Sequence, residues 1–235
     1  MKLNVLSFNT QHCLNYITRE IDFQNVANLI KDLDADIVGL NEMRGEGPIE
    51  GYEAQMKILA ELTGYYYYFG QAILVNEKGP YGNGILSKYP IKCVEKIMIP
   101  DPEPKLAHQH YETRCILKAT IDIGTDLTFM VSHFGLNLDE RVSAVKTLVP
   151  ALEREKCIFM GDLNTTPEEP MMDDIRARMV DADDYLTEKK LSFPSDKPEI
   201  KIDYIFVSED IKIEYADIPE RVVSDHRPYI AKIEI

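Results

Sequence analysis

Residues 157–164 have the sequence Cys157-Ile158-Phe159-Met160-Gly161-Asp162-Leu163-Asn164, a short apolar run followed by a glycine, an acid and an amide. A short apolar run of this kind is typical of a strand that is buried within a sheet. The strand delivers Asp162 and Asn164 at its end. Because an ionised carboxylate is costly to remove from water, an acid at this position predicts a charged partner or a bound cation.

Two more apolar strands carry acids in comparable positions. Residues 36–42 (DIVGLNE) end at Glu42, and residues 201–206 (KIDYIF) place Asp203 inside the strand. Three such strands indicate one shared partner. Carboxylate and amide oxygens suit magnesium, manganese or calcium, whereas zinc prefers nitrogen and sulfur. We therefore expect a Mg²⁺ or Mn²⁺ site with Glu42 as its principal ligand.

Two histidines and one arginine are candidates for contacting a phosphate group near these acids. His133 ends the strand-like run 127–132, and His226 lies in residues 224–228 (SDHRP), just before the final strand. Each imidazole can bond a phosphate oxygen or move a proton near neutral pH. Arg114 is a candidate substrate-binding residue, because its fork of N–H donors matches phosphate geometry.

Strand-like runs outnumber helical patterns along the chain. Strands are predicted at 3–9, 36–41, 66–75, 83–87, 112–123, 126–133, 156–161, 201–208 and 228–235. Helical spacing of apolar residues predicts helices near 21–33, 52–62, 139–154 and 168–179. Many strands with a few unevenly placed helices favour sheets that pack together and are covered by helices outside.

Length and composition indicate an ordinary globular protein. The 235 residues, of which 45% are hydrophobic and 28% charged, predict one domain over residues 1–235. The N-terminus alternates like a strand and lacks a signal peptide's apolar stretch, and no apolar run approaches the ~20 residues of a membrane span. The four cysteines form no CxxC pair and are interpreted as reduced packing residues. We therefore expect a cytoplasmic protein.

Six motifs occur in a characteristic order along the chain. They are Ser7-Phe8-Asn9, Leu40-Asn41-Glu42, Val131-Ser132-His133, Gly161-Asp162-Leu163-Asn164, Lys201-Ile202-Asp203-Tyr204 and Ser224-Asp225-His226. In this order they resemble the endonuclease/exonuclease/phosphatase superfamily, whose fold is that of deoxyribonuclease I. The resemblance extends from the first strand to the last. It implies a four-layer α/β/β/α sandwich of two mainly antiparallel sheets flanked by helices.

The resemblance also implies a metal site. Glu42 would be the main ligand of the cation, and Asn9 and Asp225 would complete or orient the coordination. Magnesium usually takes only one or two carboxylates and keeps several waters, which agrees with so small a ligand set.

By the same resemblance, the catalytic residues are Asp162, Asn164, His226, Asp203 and His133. The first two would position and deprotonate the attacking water. His226 would contact the phosphate, while Asp203 accepts its other ring proton. His133 would either stabilise charge on the phosphoryl oxygens or protonate the leaving group. Asp162 and His226 remain alternatives for the general base.

The sequence departs from several branches of the superfamily at individual residues. These departures narrow the range of expected substrates only by excluding a close match to those branches. Asn83, which we include with Arg114 among the substrate-binding candidates, stands where the deoxyribonuclease I branch carries an acid. His133 stands where exonuclease III-type enzymes have a tyrosine, and Lys201 replaces an arginine common in several branches. The chain has no tryptophan, unlike the inositol phosphatases. These differences indicate a small bacterial-type member outside the well-studied nuclease branches.

We expect a metal-dependent phosphodiesterase or phosphatase that acts on a small or lipid-like organic phosphate. The net charge of −14 disfavours non-specific attraction to nucleic acid. A nuclease acting on DNA or RNA is the alternative, because some nucleases of this superfamily are themselves acidic. A non-catalytic scaffold that binds a phosphorylated partner is a third possibility, and the intact motif set argues against it. The proline-rich segment 100–110 either shapes the binding site or forms a surface loop.

Overall fold

The computed structural model describes residues 1–107 and 110–235. Its strands are β1 (Lys2–Asn9), β2 (Ile37–Arg44), β3 (Tyr66–Val75), β4 (Gly79–Ser87), β5 (Ile91–Met98), β6 (Cys115–Asp122), β7 (Asp126–Ser132), β8 (Cys157–Asp162), β9 (Val180–Asp181), β10 (Asp203–Val207), β11 (Lys212–Asp217) and β12 (Tyr229–Glu234). Its helices are α1 (Phe23–Asp32), α2 (Gln55–Thr63), α3 (Leu138–Ala151) and α4 (Met171–Arg176).

The strands form two six-stranded sheets of similar design. The first has the order β11-β12-β1-β2-β4-β3 and the second the order β5-β6-β7-β8-β10-β9. Each sheet contains one parallel pair, β1 with β2 and β7 with β8, and its other neighbours are antiparallel. The expected sandwich of two mainly antiparallel sheets flanked by helices is confirmed.

Alternation along the central strands builds three apolar layers. On β1, Val5 faces the second sheet, whereas Leu6 and Phe8 face α1 and α2. On β8, Met160 belongs to the layer between the sheets, while Phe159 packs with residues of α3 and α4. Successive side chains of a strand point to opposite faces, so a strand covered on both faces is apolar at nearly every position.

The sequence patterns missed the two-residue strand β9 and also β5 and β11, and all three lie at sheet edges. Exposed positions of β5 and β11 carry charged residues, such as Lys92 and Glu95 on β5 and Lys212 on β11. Charged side chains on an edge strand oppose pairing with other chains, but they also remove the apolar signal of a buried strand. The predicted strand 112–123 begins only at Cys115, so Arg114 precedes β6. The predicted helix 168–179 is shorter, Met171–Arg176.

Topology brings the motif-bearing strand ends to one edge of the sandwich. β1, β2, β7 and β8 end at this edge, and β10 and β12 begin there. In the antiparallel pairing of β10 with β8, Asp203 lies directly opposite Asp162. In the pairing of β1 with β12, Ser7 lies opposite Tyr229, three residues after His226. The register of both sheets therefore places the predicted site residues together.

Other parts of the chain bear on the remaining expectations. Cys13, Cys115 and Cys157 are buried free thiols, in agreement with packing roles, whereas Cys93 is exposed. Within residues 1–107 and 110–235, no helix is long and apolar enough to cross a membrane. Of the segment 100–110, which includes His108, residues 108 and 109 lie outside the described residues.

Gly161 connects the fold to the site and is a position where a side chain cannot be placed. Its φ is +144°, and an added Cβ would collide with the carbonyl oxygen of Ser132 on the neighbouring strand. We predict that Gly161→Ala lowers the free energy of unfolding by about 2–4 kcal/mol, because backbone must shift. Chemical denaturation measures the loss. Gly124→Ala is the matched control, since Gly124 also has positive φ (+90°) but nothing within 4 Å of an added Cβ. An equal loss in both variants would show that backbone conformation alone accounts for the effect.

Candidate active site

A β-bulge sets the direction of Glu42. The pairing of β2 with β4 shifts its register between Leu40 and Met43, so that Asn41 and Glu42 lie within the irregularity. Glu42 has a φ of +62°, which is unusual for a residue with a side chain. Bulges next to active sites re-aim a side chain, and strained backbone concentrates at functional sites.

The carboxylate of Glu42 lies close to other oxygen-bearing side chains, those of Asn9 and Asp225. Asn9 donates its amide hydrogens to Glu42 Oε1 at 3.1 Å and to Asp162 Oδ2 at 3.0 Å, so it links the two acids. Burial raises the pKa of Glu42, and the nearby Asp225 raises it further. A buried carboxylate beside a second acid fits a hard divalent cation, which would neutralise both charges.

Asp162 is the centre of the hydrogen-bonding atoms. Its Oδ1 accepts the backbone N–H of Asn164 at 2.9 Å. Its Oδ2 lies 3.4 Å from Nε2 of His133 and 3.5 Å from Nε2 of His226. Burial raises the pKa of Asp162 despite the favourable charge of His226, and Asp203 raises it too. One carboxylate oxygen is thus shared by both imidazoles.

His226 is held by a carboxylate on its far side. Its Nδ1 lies 2.8 Å from Asp203 Oδ2, and its ring packs on Phe193 with 4.8 Å between centroids. Burial would lower the pKa of His226, but Asp203 and Asp162 outweigh burial and raise it. Asp162, Asp203 and His226 also have potential metal-ligand atoms within 4.8 Å of one another. Nδ1 is hydrogen-bonded to Asp203 and Nε2 lies 3.5 Å from Asp162, so a histidine between two acids describes this group better than a metal site.

His133 has a different environment from His226. Its Nδ1 lies 3.1 Å from Nη1 of Arg114, where His226 has a carboxylate. Burial and the charges of Arg114 and His226 hold the pKa of His133 well below its ordinary value. The side-chain amide of Asn164 lies 3.1 Å from Nε2 and also donates to the carbonyl of Phe134 at 3.0 Å.

The two substrate-binding candidates are both engaged by protein groups. Arg114 is only 8% exposed, and its second terminal nitrogen pairs with Glu112 at 2.5 Å. Asn83 is buried, accepts a hydrogen bond from Asn41 at 2.9 Å and donates to the carbonyl of Cys115 at 3.2 Å. Asn83 therefore lies behind the site, where it holds the side chain of Asn41.

Asn41 is a site residue that sequence reasoning did not single out. It is fully buried, and its Oδ1 accepts the backbone N–H of Asp162 at 2.9 Å. Its amide donates to Asn83 and to the carbonyl of Ser132, each at 2.9 Å. Asn41 thus ties the first sheet to the ends of β7 and β8. The only sequence signal was its place beside Glu42 in the second motif.

Lys201 belongs to a buried charge network behind Asp203. Its Nζ donates to the carbonyl of Asp203 at 2.9 Å and pairs with Asp183 at 2.7 Å. The same nitrogen lies 3.4 Å above the ring centroid of Tyr204. Burial lowers the pKa of Lys201 despite these acids. The lysine that replaces the more usual arginine therefore supports the strand that carries Asp203.

Comparison with known families agrees with this geometry. A family model described as "PGAP2IP, C-terminal nuclease-like domain" matches residues 19–235. Protein cwh43 of Schizosaccharomyces pombe (strain 972 / ATCC 24843) is 27% identical over 142 residues, which cover 58% of this chain and 14% of cwh43. The chain thus corresponds to a small part of that relative.

Solved structures share the fold. An endonuclease/exonuclease/phosphatase from Beutenbergia cavernae DSM 12333 has a TM-score of 0.81 at 19% identity, covering 100% of this chain and 72% of its own. The mannosyl-6-phosphatase Bt3783 of Bacteroides thetaiotaomicron VPI-5482 has a TM-score of 0.77 at 18% identity, covering 99% and 100%. D. rerio TDP2 complexed with single strand DNA product has 0.69 at 17%, covering 100% and 99%. At these identities the likeness establishes the fold.

Asn41 gives a prediction on stability. Asn41→Ala leaves three buried groups without their partner: the N–H of Asp162, the side chain of Asn83 and the carbonyl of Ser132. We expect the free energy of unfolding to fall by about 2–4 kcal/mol, measured by urea denaturation. Asn28→Ala, which removes one exposed bond to Gln24, is the control and should change stability by less than about 0.5 kcal/mol. Equal stability of the two variants would contradict the bridging role of Asn41.

Proposed function

Because the chain belongs to the PGAP2IP C-terminal nuclease-like family, within the endonuclease/exonuclease/phosphatase superfamily, we propose that it is a divalent-metal-dependent phosphoester hydrolase. One observation carries the proposal. Nε2 of His133 and Nε2 of His226 converge on Asp162 Oδ2 at 3.4 and 3.5 Å, and Asn9 links the same oxygen to Glu42. Two imidazoles and two buried acids surround one point from both sheets.

Glu42 would hold the cation, with Asp225 beside it and Asn9 orienting the carboxylate. A cation bound there would supply charge stabilisation to the phosphate and to the leaving oxygen. We propose Mg²⁺ or Mn²⁺, because carboxylate and amide oxygens suit these ions. The carboxylate of Glu42 has Asn9 as its one direct side-chain partner in the described part of the chain, which leaves its second oxygen for a ligand.

The remaining residues would act on water and phosphate. Asp162 and Asn164 would orient the attacking water, and Asp162 would take its proton, with His226 as the alternative general base. His226 would present Nε2 to a phosphate oxygen, because Asp203 occupies Nδ1 and holds the ring. Attack in line with the leaving oxygen needs no covalent enzyme intermediate.

We propose a small or lipid-like organic phosphate as the substrate. The net charge of −14 disfavours a long polyanion. A groove of about 640 Å³ lies between the segment 102–107 and the start of α3, and Leu106 and Leu138 at its wall are 74% and 58% exposed. Leu136, three residues beyond His133, is 59% exposed. Exposed leucines at the wall of a groove fit an apolar part of a substrate.

A nuclease is the second candidate. TDP2, of the same fold, has been solved with a single-strand DNA product, and DNA binding is compatible with an acidic chain when basic residues line one groove. Within the described site, Arg114 is already paired with Glu112, which reduces the positive charge left for a nucleic-acid backbone.

Substitution of the central acids should remove activity and leave the fold intact. We expect Glu42→Gln or Asp162→Asn to lower kcat on bis-p-nitrophenyl phosphate by about 100-fold or more, because each removes a preorganised charge. Asp126→Asn is the control, since Asp126 forms only a surface pair with Lys92. The circular dichroism spectra of all variants should superimpose on that of the wild-type protein. Wild-type turnover in Asp162→Asn would refute the assignment.

Metal removal and a substrate panel separate the candidate functions. We expect a chelator to abolish hydrolysis and Mg²⁺ or Mn²⁺ to restore it, because the acids then repel one another without a cation. The panel consists of bis-p-nitrophenyl phosphate, a p-nitrophenyl monoester, sphingomyelin vesicles, plasmid DNA and an abasic duplex. Hydrolysis of the small or lipid esters alone supports the proposal, nicking of plasmid favours the nuclease, and silence on every substrate would favour the scaffold.

A further inference from the structure

Arg114 meets His133 at the ring nitrogen that faces away from the site. The distance from Nη1 to Nδ1 is 3.1 Å, and both side chains are buried. A guanidinium has five N–H donors and no acceptor, and it stays protonated in proteins. Nδ1 can therefore take part in this hydrogen bond only as an acceptor, with its lone pair free of a proton.

The other ring nitrogen faces two groups. Asp162 Oδ2 lies 3.4 Å from Nε2 and can accept a proton, whereas the amide of Asn164, at 3.1 Å, offers only N–H donors as placed. A neutral imidazole carries one proton, and Arg114 excludes it from Nδ1. The proton therefore resides on Nε2, the ring nitrogen on the side of Asp162 and Asn164.

We propose that Arg114 is a positioning residue that keeps His133 neutral with its proton on Nε2, so that His133 donates a hydrogen bond to a phosphoryl oxygen and transfers no proton to the leaving group. The inference rests on the proposed function. A neutral imidazole that lost its Nε2 proton would become an imidazolate, which is a far poorer species to form than the neutral base left by an imidazolium. The ring therefore ends a turnover with the proton with which it began.

Charged groups from three parts of the chain surround the ring of His133. Arg114 approaches from the segment before β6, Asp162 from the end of β8 and His226 from the segment before β12. Burial together with the positive charges of Arg114 and His226 lowers the pKa of His133 well below 6.5, although Asp162 lies nearby. The electrostatic surroundings thus agree with a neutral ring, which the inference requires.

The position of Arg114 is itself supported. Glu112 pairs with its Nη2 at 2.5 Å, and the backbone N–H of Glu112 donates to Glu140 of α3 at 3.0 Å. The guanidinium is thus held by the carboxylate of Glu112, and the backbone of Glu112 is held by helix α3. An arginine whose two terminal nitrogens are engaged in this way is suited to orienting a ring and less suited to binding a mobile phosphate.

Nitrogen-15 spectra of the histidine rings test the tautomer without any assay of activity. We expect His133, assigned by comparison with His133→Gln, to show an unprotonated Nδ1 and a protonated Nε2 throughout pH 5.5–8, with no midpoint in this range. A protonated Nδ1, or a midpoint within it, would overturn the inference. This result is independent of whether the chain hydrolyses any phosphoester.

Variants test whether Arg114 is the cause. Arg114→Met should move the midpoint of His133 upward by at least about one pH unit, because both a donor and a positive charge are lost. It should also lower kcat at least about 10-fold while KM changes less than about 2-fold. If Arg114→Met folds poorly, Arg114→Lys serves as the second variant. It keeps the positive charge, so the midpoint of His133 should move upward less than the loss of that charge would move it. Lys118→Gln, four residues away on β6, is the charge-matched control and should change neither value. A higher KM in Arg114→Met with an unchanged His133 spectrum would instead assign Arg114 to phosphate binding and overturn the inference.

A series of aryl phosphodiesters separates hydrogen bonding from proton transfer at His133. We expect His133→Gln to lower kcat by the same factor, about 100-fold, for esters from p-nitrophenol to phenol. A proton donor to the leaving group would matter most for phenol, the poorest leaving group. A loss that grows at least 10-fold across the series would therefore contradict the inference. Absence of hydrolysis by the wild-type protein would refute the proposed function, while the spectra would still decide the tautomer.

Discussion

A carboxylate buried where two sheets meet is the constraint on which the site depends. Asp162 is 1% exposed, and an ionised acid at this depth costs several kcal/mol unless it is hydrogen-bonded and paired. Its oxygens accept hydrogen bonds from the amide of Asn9 and from the backbone N–H of Asn164, and the Nε2 atoms of His133 and His226 lie 3.4 and 3.5 Å from one of them. Each of these groups comes from a different part of the chain, so the need to satisfy one acid organises the whole edge of the sandwich.

The two histidines show how one ring type takes two characters in a single site. His226 has the carboxylate of Asp203 behind it and its pKa is raised, whereas His133 has the guanidinium of Arg114 behind it and its pKa is lowered. The ring nitrogens that face the site lie at nearly equal distances from Asp162, 3.4 and 3.5 Å. The difference therefore comes from the partner on the far side of each ring, which sets charge and tautomer.

Much of the fold could be predicted, because it rests on local patterns. Central strands such as β8 and β10 are covered on both faces and appear as nearly continuous apolar runs. The edge strands β5 and β11 could not be recognised in the same way, since charged residues at their exposed positions interrupt the apolar signal. The start of β6 was placed too early because Glu112 and Thr113 alternate like a strand but have no ladder partner there.

By itself, the sequence determined the sandwich and the acids and histidines at its strand ends, because period-two alternation and motif order are written in neighbouring residues. Only the tertiary structure decided which residues come into contact. Asn41 reaches the backbone of Asp162 across 121 positions, and Arg114 reaches His133 across 19. Such pairs depend on sheet register and on a bulge in β2, which no local pattern encodes. The sequence therefore identified Arg114 by its chemistry as a phosphate ligand, and the packing placed it behind a histidine.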